Sequence, residues 1–157
     1  MRRHILLYLS IALLVAACGG ETGGGGDVSS PCDLADAAMV QLVFGGTVAE
    51  GSEGEARNCN FSIEGGPVES VDVFWFGSAS SWDGVREGYE DNRGGVTDVS
   101  GIGDEAFYPN DSGPIGIVAH AGGEIFAITV FNAFAEPPPN TSDMVSELAQ
   151  AIADTLG

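Results

Sequence analysis

The stretch PIGIVAHAGGEIFAITVFNAF, Pro114–Phe134, sets two apolar, β-branched runs on either side of Gly122-Gly123. Paired glycines accept the positive φ of a tight hairpin turn, so the stretch predicts two antiparallel strands, Pro114–His120 and Glu124–Phe134. Upstream, Val96–Val99 and Glu105–Tyr108 are shorter strand candidates. SVDVFWF, Ser70–Phe76, is apolar on both faces at its end, which predicts a central strand. In NCNFSIEGG, Asn58–Gly66, Cys59, Phe61 and Ile63 alternate with Asn60 and Ser62, the pattern of a half-buried strand.

Three helices separate these strands. Asp36 is placed to cap Ala37–Phe44, Val40, Val43 and Phe44 share its inner face, and Gly45 is placed to end it. The glycine- and glutamate-rich chain that follows, as far as Glu55, reads as an exposed loop. Ser80 or Ser81 caps a second segment with Trp82, Val85 and Tyr89 at helical spacing. Gly84 and Gly88 weaken this helix by up to ~1 kcal/mol each relative to alanine, so it must lean on packing. Beyond the stiff Pro137-Pro138-Pro139 link, Asn140 or Thr141 opens a last helix. There Met144, Leu148, Ile152 and Leu156 form an apolar stripe beside Val145. Hairpins and meanders dominate, and the expected fold is α+β: an antiparallel sheet of about five or six strands with helices packed on it.

The N-terminus gives an address. Arg2 and Arg3 precede an apolar run, Ile5–Ala17, too short for a bilayer-spanning helix of about 20 residues, and residues 1–17 read as a secretory signal. Val15-Ala16-Ala17-Cys18 resembles the bacterial lipobox, in which small residues fit the signal peptidase and the cysteine thiol accepts a diacylglyceryl group. Two acyl chains at ~0.8 kcal/mol per buried methylene suffice for stable anchoring. Cys18 is therefore expected to carry the lipid, with the mature protein at the extracytoplasmic face of the cell membrane. Residues 18–30 contain the lipidated cysteine and GGETGGGGDVSS, a flexible tether spanning on average ~20 Å. Residues 31–157 form the single globular domain. In an exported, oxidising setting the two remaining cysteines, Cys32 and Cys59, have one possible pairing, and the disulfide pins the first helix to the Asn58–Gly66 strand.

Composition excludes whole classes of chemistry. Removing residues 1–17 takes away Arg2 and Arg3, so the formal charge moves from −18 to −20. The 23 carboxylates are then opposed only by Arg57, Arg86 and Arg93. Such a surface repels nucleic acid, whose binding needs clustered cations, and no nucleic-acid partner is expected. No lysine is present, which removes a P-loop lysine, a Schiff-base lysine and an S-x-x-K nucleophile.

The lipobox, PCDLADAAMVQLVFG at Pro31–Gly45, the second cysteine in NCNF, VSGIGDEAFY at Val99–Tyr108 and the final amphipathic helix carry a resemblance. Together they resemble a domain of unknown function found in small cell-envelope lipoproteins of high-GC Gram-positive bacteria. Pro31, Cys32, Leu34 and Gly45 match its proline-cysteine-x-leucine opening and helix-ending glycine. Gly103, Asp104, Glu105 and Ala106 match its glycine-aspartate-glutamate-alanine segment. The resemblance implies an α+β fold and an envelope location; the strong acidity and missing lysine set this chain apart from that family.

Candidate sites are few. GIGDE, residues 101–105, lacks the helix that a phosphate loop requires, since AFYP after it reads as extended. His120, the only histidine after the signal, has no G-x-S-x-G elbow to serve and reads as a solvated strand residue. Asp98, Asp104 and Glu105, or Glu87, Glu90 and Asp91, could supply oxygens to calcium, yet neither set has EF-hand spacing and solvated charge is the plainer reading. Asn60, Asn110 and Asn140 open glycosylation-type triplets that carry no meaning beside a bacterial lipobox. Phe74, Trp75, Phe76, Trp82 and Tyr89 either line an apolar pocket or pack the core. No enzyme, metal site or cofactor is expected. The reading is a membrane-anchored binding or interaction module with an envelope protein or ligand as partner; the alternative is a carrier of a small apolar ligand or lipid.

Overall fold

In this computed structural model the described residues are 28–77, 80–110, 116–132 and 136–157. The signal segment, Cys18 and the tether through residue 27 lie outside them, as do Pro114, Ile115 and Phe134 at the outer ends of the hairpin. Val28, Ser29 and Ser30, which composition places in the tether, are joined to the domain. Val28 packs on the core, and the Asp33 carboxylate accepts hydrogen bonds from the Ser29 amide at 3.0 Å, the Ser29 hydroxyl at 2.8 Å and the Ser30 amide at 2.8 Å. These donors, the Ser29 amide foremost, hold the Asp33 pKa below the ordinary carboxylate value. A depressed folded-state pKa makes the cap fully effective above the carboxylate range and lets it fail only as pH falls through the lowered value.

Residues Pro31–Asp33 make a 3-10 turn capped by Ser30 and lead into α1, Ala37–Phe44. Asp36 caps α1 by accepting from the Met39 amide at 2.7 Å, and Gly45 ends it at φ 66°. Strands β1 (Thr47–Val48) and β2 (Ser52–Glu53) follow, then β3 (Asn58–Glu64) and β4 (Ser70–Trp75). Helix α2 (Trp82–Asn92), capped by Ser81, precedes β5 (Val96–Val99), β6 (Glu105–Pro109), β7 (Gly116–Ala121) and β8 (Glu124–Phe131), and α3 (Thr141–Leu156) closes the domain.

The sheet is antiparallel in every pair and runs β1-β3-β4-β8-β7-β6-β5, with β2 also on β3. It has eight strands rather than five or six. The additional pair, β1 and β2, comes from the stretch read as loop. Two-residue strands have no periodicity to recognise, and these are recruited by the outer edge of β3. Gly51, between them, lies so close to Cys59 and Phe61 that a Cβ would collide with both, which lets the chain hug that edge.

Alternation gives the sheet two unlike faces. Cys59, Phe61, Val71, Val73, Ile117, Ala119, Phe126, Ile128 and Val130 point inward and are buried under α1 and α3. Helix α3 contributes Val145, Leu148 and Ile152 to that layer, each fully buried. Of its sequence stripe, Met144 and Leu156 flank the core instead. The opposite face carries the much smaller cluster of Phe107, Val118, Ile125 and Ala127 beneath α2. No residue of α2 is buried, as its two glycines and its charged composition imply.

Cys32 and Cys59 are bonded, with their Cα atoms 4.9 Å apart. The bridge joins the turn before α1 to β3 and closes a 27-residue separation. Converting both cysteines to serine is expected to lower stability by roughly 3 to 4 kcal/mol on the chain-entropy account, read as a shift of the urea midpoint. Gly88 has open space where a Cβ would stand. Gly88→Ala is therefore expected to raise stability by about 0.5 to 1 kcal/mol, measured as a rise in melting temperature of a few degrees. No rise would mean that α2 does not limit stability.

Candidate functional site

Helix α2 covers the outer face only in part. Its N-terminal half presses Trp82 onto Phe107, with ring centroids 5.2 Å apart, and Tyr89 meets the same ring edge-on at 5.4 Å. Arg86 lies over Phe107 and bridges to Glu90 at 2.9 Å and Asp98 at 2.6 Å. The Asp98 carboxylate, with Glu90 behind it, raises the Arg86 pKa further above its ordinary value. At the far side, on β3 and β4, the outer face is polar: Asn58 and Asn60 both donate to the Asp72 carboxylate, at 2.6 and 3.0 Å.

Between these regions a trough opens along the sheet beside the C-terminal half of α2. Its larger part, about 380 Å³, is walled by Phe74, Trp75, Phe76 and Tyr89, floored by Ala127 and Thr129, and bordered by Arg57 and Arg93. A smaller part of about 80 Å³ continues past Tyr89 and Thr129 to Pro109 and Gly116. The floor follows from strand register, since Phe74 pairs with Ala127 and Thr129 with Gly116, so small side chains meet where a helix would have to press down. The volume lies within the ~300 to 1,000 Å³ range of small-molecule sites.

Arg57 is held deliberately at this rim. It has φ 57°, the one described non-glycine residue at positive φ, in the tight turn from β2 to β3. Its carbonyl accepts from the Trp75 amide at 3.1 Å, and its guanidinium stands 5.0 Å from the centre of the Trp75 ring. Gly77, itself at φ 82°, leaves room for that guanidinium; a Cβ there would stand 3.1 Å from Nη2. The indole Nε1–H donates to Glu124 Oε2 at 2.7 Å, fixing the ring from its other end. Arg93 enters the trough from the C-terminus of α2, where its amide donates to the Tyr89 carbonyl.

Four of the five aromatic residues proposed as a lining, Phe74, Trp75, Phe76 and Tyr89, do line this trough. Trp82 does not. It stacks on His120 at 5.8 Å, so that histidine is half covered by an indole rather than solvated. Among the described residues no serine or carboxylate bonds to the His120 ring. Asp98, Asp104 and Glu105 border one polar hollow of about 480 Å³ with Arg86 among them, but among the described residues no group of histidine, cysteine or carboxylate side chains converges on a possible ion. Glu90 is spent on Arg86 and leaves Glu87 and Asp91 without it. Gly101–Glu105 is a turn into β6, whose Asp104 amide donates to the His120 carbonyl at 2.8 Å. Arg57, Arg93 and Thr129 were missed by sequence reasoning. The scarcity of cations was the available signal, because each of three arginines facing 23 carboxylates needs a reason for its place.

Compared with protein-family models, curated proteins and solved structures, the chain finds no match.

Since Asp98 is tied to Arg86 and the carboxylates remain dispersed, salt is expected to act as a screen. Sodium chloride and calcium chloride at matched ionic strength should raise the melting temperature about equally. A rise that saturates at low millimolar calcium and disappears in Asp104→Asn would contradict this, because saturation marks a ligand bound by the native state.

Proposed function

We propose that the protein is a lipid-anchored, extracytoplasmic binding module, non-catalytic, whose trough beside α2 takes a small ligand with an apolar body. The observation that carries this reading is the trough itself: half-buried Phe74, Trp75, Phe76 and Tyr89 stand around a volume that α2 leaves unfilled. A domain that needed α2 only for stability would bring that helix down onto the sheet and bury part of it. This favours the carrier among the binding functions over a module that works through a broad protein interface. Location rests on the lipobox and Cys18. Among the described residues no helix is long and apolar enough to cross a membrane, and the acyl chains would supply the attachment. The resemblance to cell-envelope lipoproteins agrees with both the tether and the exposed, disulfide-closed domain.

The test has two readouts on protein made in a lipoprotein-processing bacterium. Native protein should partition into detergent and Cys18→Ser should not; a lipid-modified Cys18→Ser protein would sink the anchor. Native mass spectrometry of the purified domain should find a small molecule bound stoichiometrically, and substitution of Ala127→Trp, which fills the trough floor, should expel it. Retention of that molecule by a folded Ala127→Trp protein would place the ligand elsewhere.

A further inference from the structure

We infer that the trough selects an anionic amphiphile, with an acidic head group on Arg57 and Arg93 and an apolar tail along Phe74, Phe76 and Tyr89; this rests on the reading of the trough as a ligand site. The argument begins with charge. Two of the three arginines that follow the signal segment border this one trough, whereas among the described residues no aspartate or glutamate lines either of its parts. In a chain of formal charge −18, an apolar hollow bordered by two arginines and, among the described residues, by no carboxylate is suited to an anion.

The second observation is conformational. A non-glycine residue at positive φ is disfavoured and persists where its surroundings over-determine it. At Arg57 those surroundings are the Trp75 amide on its carbonyl, the Trp75 ring beneath its guanidinium and the missing side chain of Gly77. Together they hold Arg57, which is exposed, as one of the residues bordering the trough. A planar guanidinium offers paired N–H donors that match two oxygens of a carboxylate or a phosphate, and stacking on an aromatic ring leaves those edges available. The Thr129 hydroxyl is a further polar group on the floor. A neutral apolar ligand would need none of this apparatus.

The probes are octanoate, octyl phosphate and 1-octanol, one tail with two anionic heads and one neutral. They are titrated calorimetrically into chain beginning at Gly19, which contains the whole of the described sheet, core and disulfide. Either anion should bind at least about tenfold more tightly than the alcohol, the factor expected when a charge-assisted hydrogen bond is gained. The tighter of the two anions identifies the head group. Arg57→Asn keeps a residue that tolerates positive φ and should cut anion affinity about tenfold or more while leaving 1-octanol unchanged. Arg57→Lys should recover part of the loss, and Arg93→Gln gives an independent arm away from the strained turn. In Trp82→Phe protein, Trp75 is the only indole left, so its fluorescence should report anion binding directly. If 1-octanol binds as tightly as octanoate, or if both arginine variants bind the anions unchanged while melting normally, the head-group assignment is overturned and the apolar trough survives. If none of the three probes binds at millimolar concentration and Trp75 fluorescence stays constant, the trough is not a ligand site and both readings fall.

Discussion

Strand β8 is the constraint on which the domain depends. It is paired along both edges, with β4 from Ser70↔Phe131 to Trp75↔Phe126 and with β7 from Gly116↔Thr129 to Ala121↔Glu124. Once both ladders are made, a slip of one residue in either would turn Phe126, Ile128 and Val130 out of the core, so register and burial enforce one another. The inner layer of α1, α3 and the Cys32–Cys59 bridge then has one surface on which to settle. The outer layer inherits whatever remains: Ile125, Ala127 and Thr129, which step from a large apolar side chain to small and polar ones before Phe131 stands exposed at the strand end.

That gradient explains the unequal treatment of the two faces. Beneath Trp82 and Val85 the outer row meets Phe107 and Val118, and aromatic contacts anchor the helix. Further along, Ala127, Thr129 and Gly116 offer little to grip, and Gly88 deprives the helix of a side chain in the same half. Helix α2 thus stands clear where its partner surface is thin. The opening is a consequence of side-chain volume on both sides, with the aromatic side chains at the end of β4 as its wall.

Electrostatics follows the same division. Most carboxylates are spread over the surface, where water and salt screen them, while Asp72 and Glu124 on the strands are held by Asn58, Asn60 and the Trp75 indole. Each arginine has a defined post: Arg86 clamps α2 to β5 through Asp98, Arg57 lies across Trp75, and Arg93 stands at the end of α2. A cation at a helix C-terminus is favourable in itself. Arg57 keeps its place on the Trp75 ring at a strained backbone position instead.

Much of the architecture was legible in the sequence because it depends on neighbours along the chain. The alternation of Cys59, Phe61 and Ile63, the Asp36 and Gly45 caps of α1, the Gly122-Gly123 hairpin, the stripe of α3 and the sole pairing open to Cys32 and Cys59 are local or combinatorial facts, and the fold class follows from them. β1 and β2 were not legible, since two residues have no period and their strand character is lent by the edge of β3. The candidate lining was legible as a list of aromatics, though not as a site: Trp82 has the same chemistry as Trp75 and ended under the N-terminal end of α2, against Phe107 and His120. Tertiary structure alone decided how far α2 rides above the sheet, and that the β2–β3 turn and the end of α2 bring Arg57 and Arg93 to one rim. Those positions depend on packing between segments distant in sequence, where small volumes on facing surfaces set the gap and no local pattern records it.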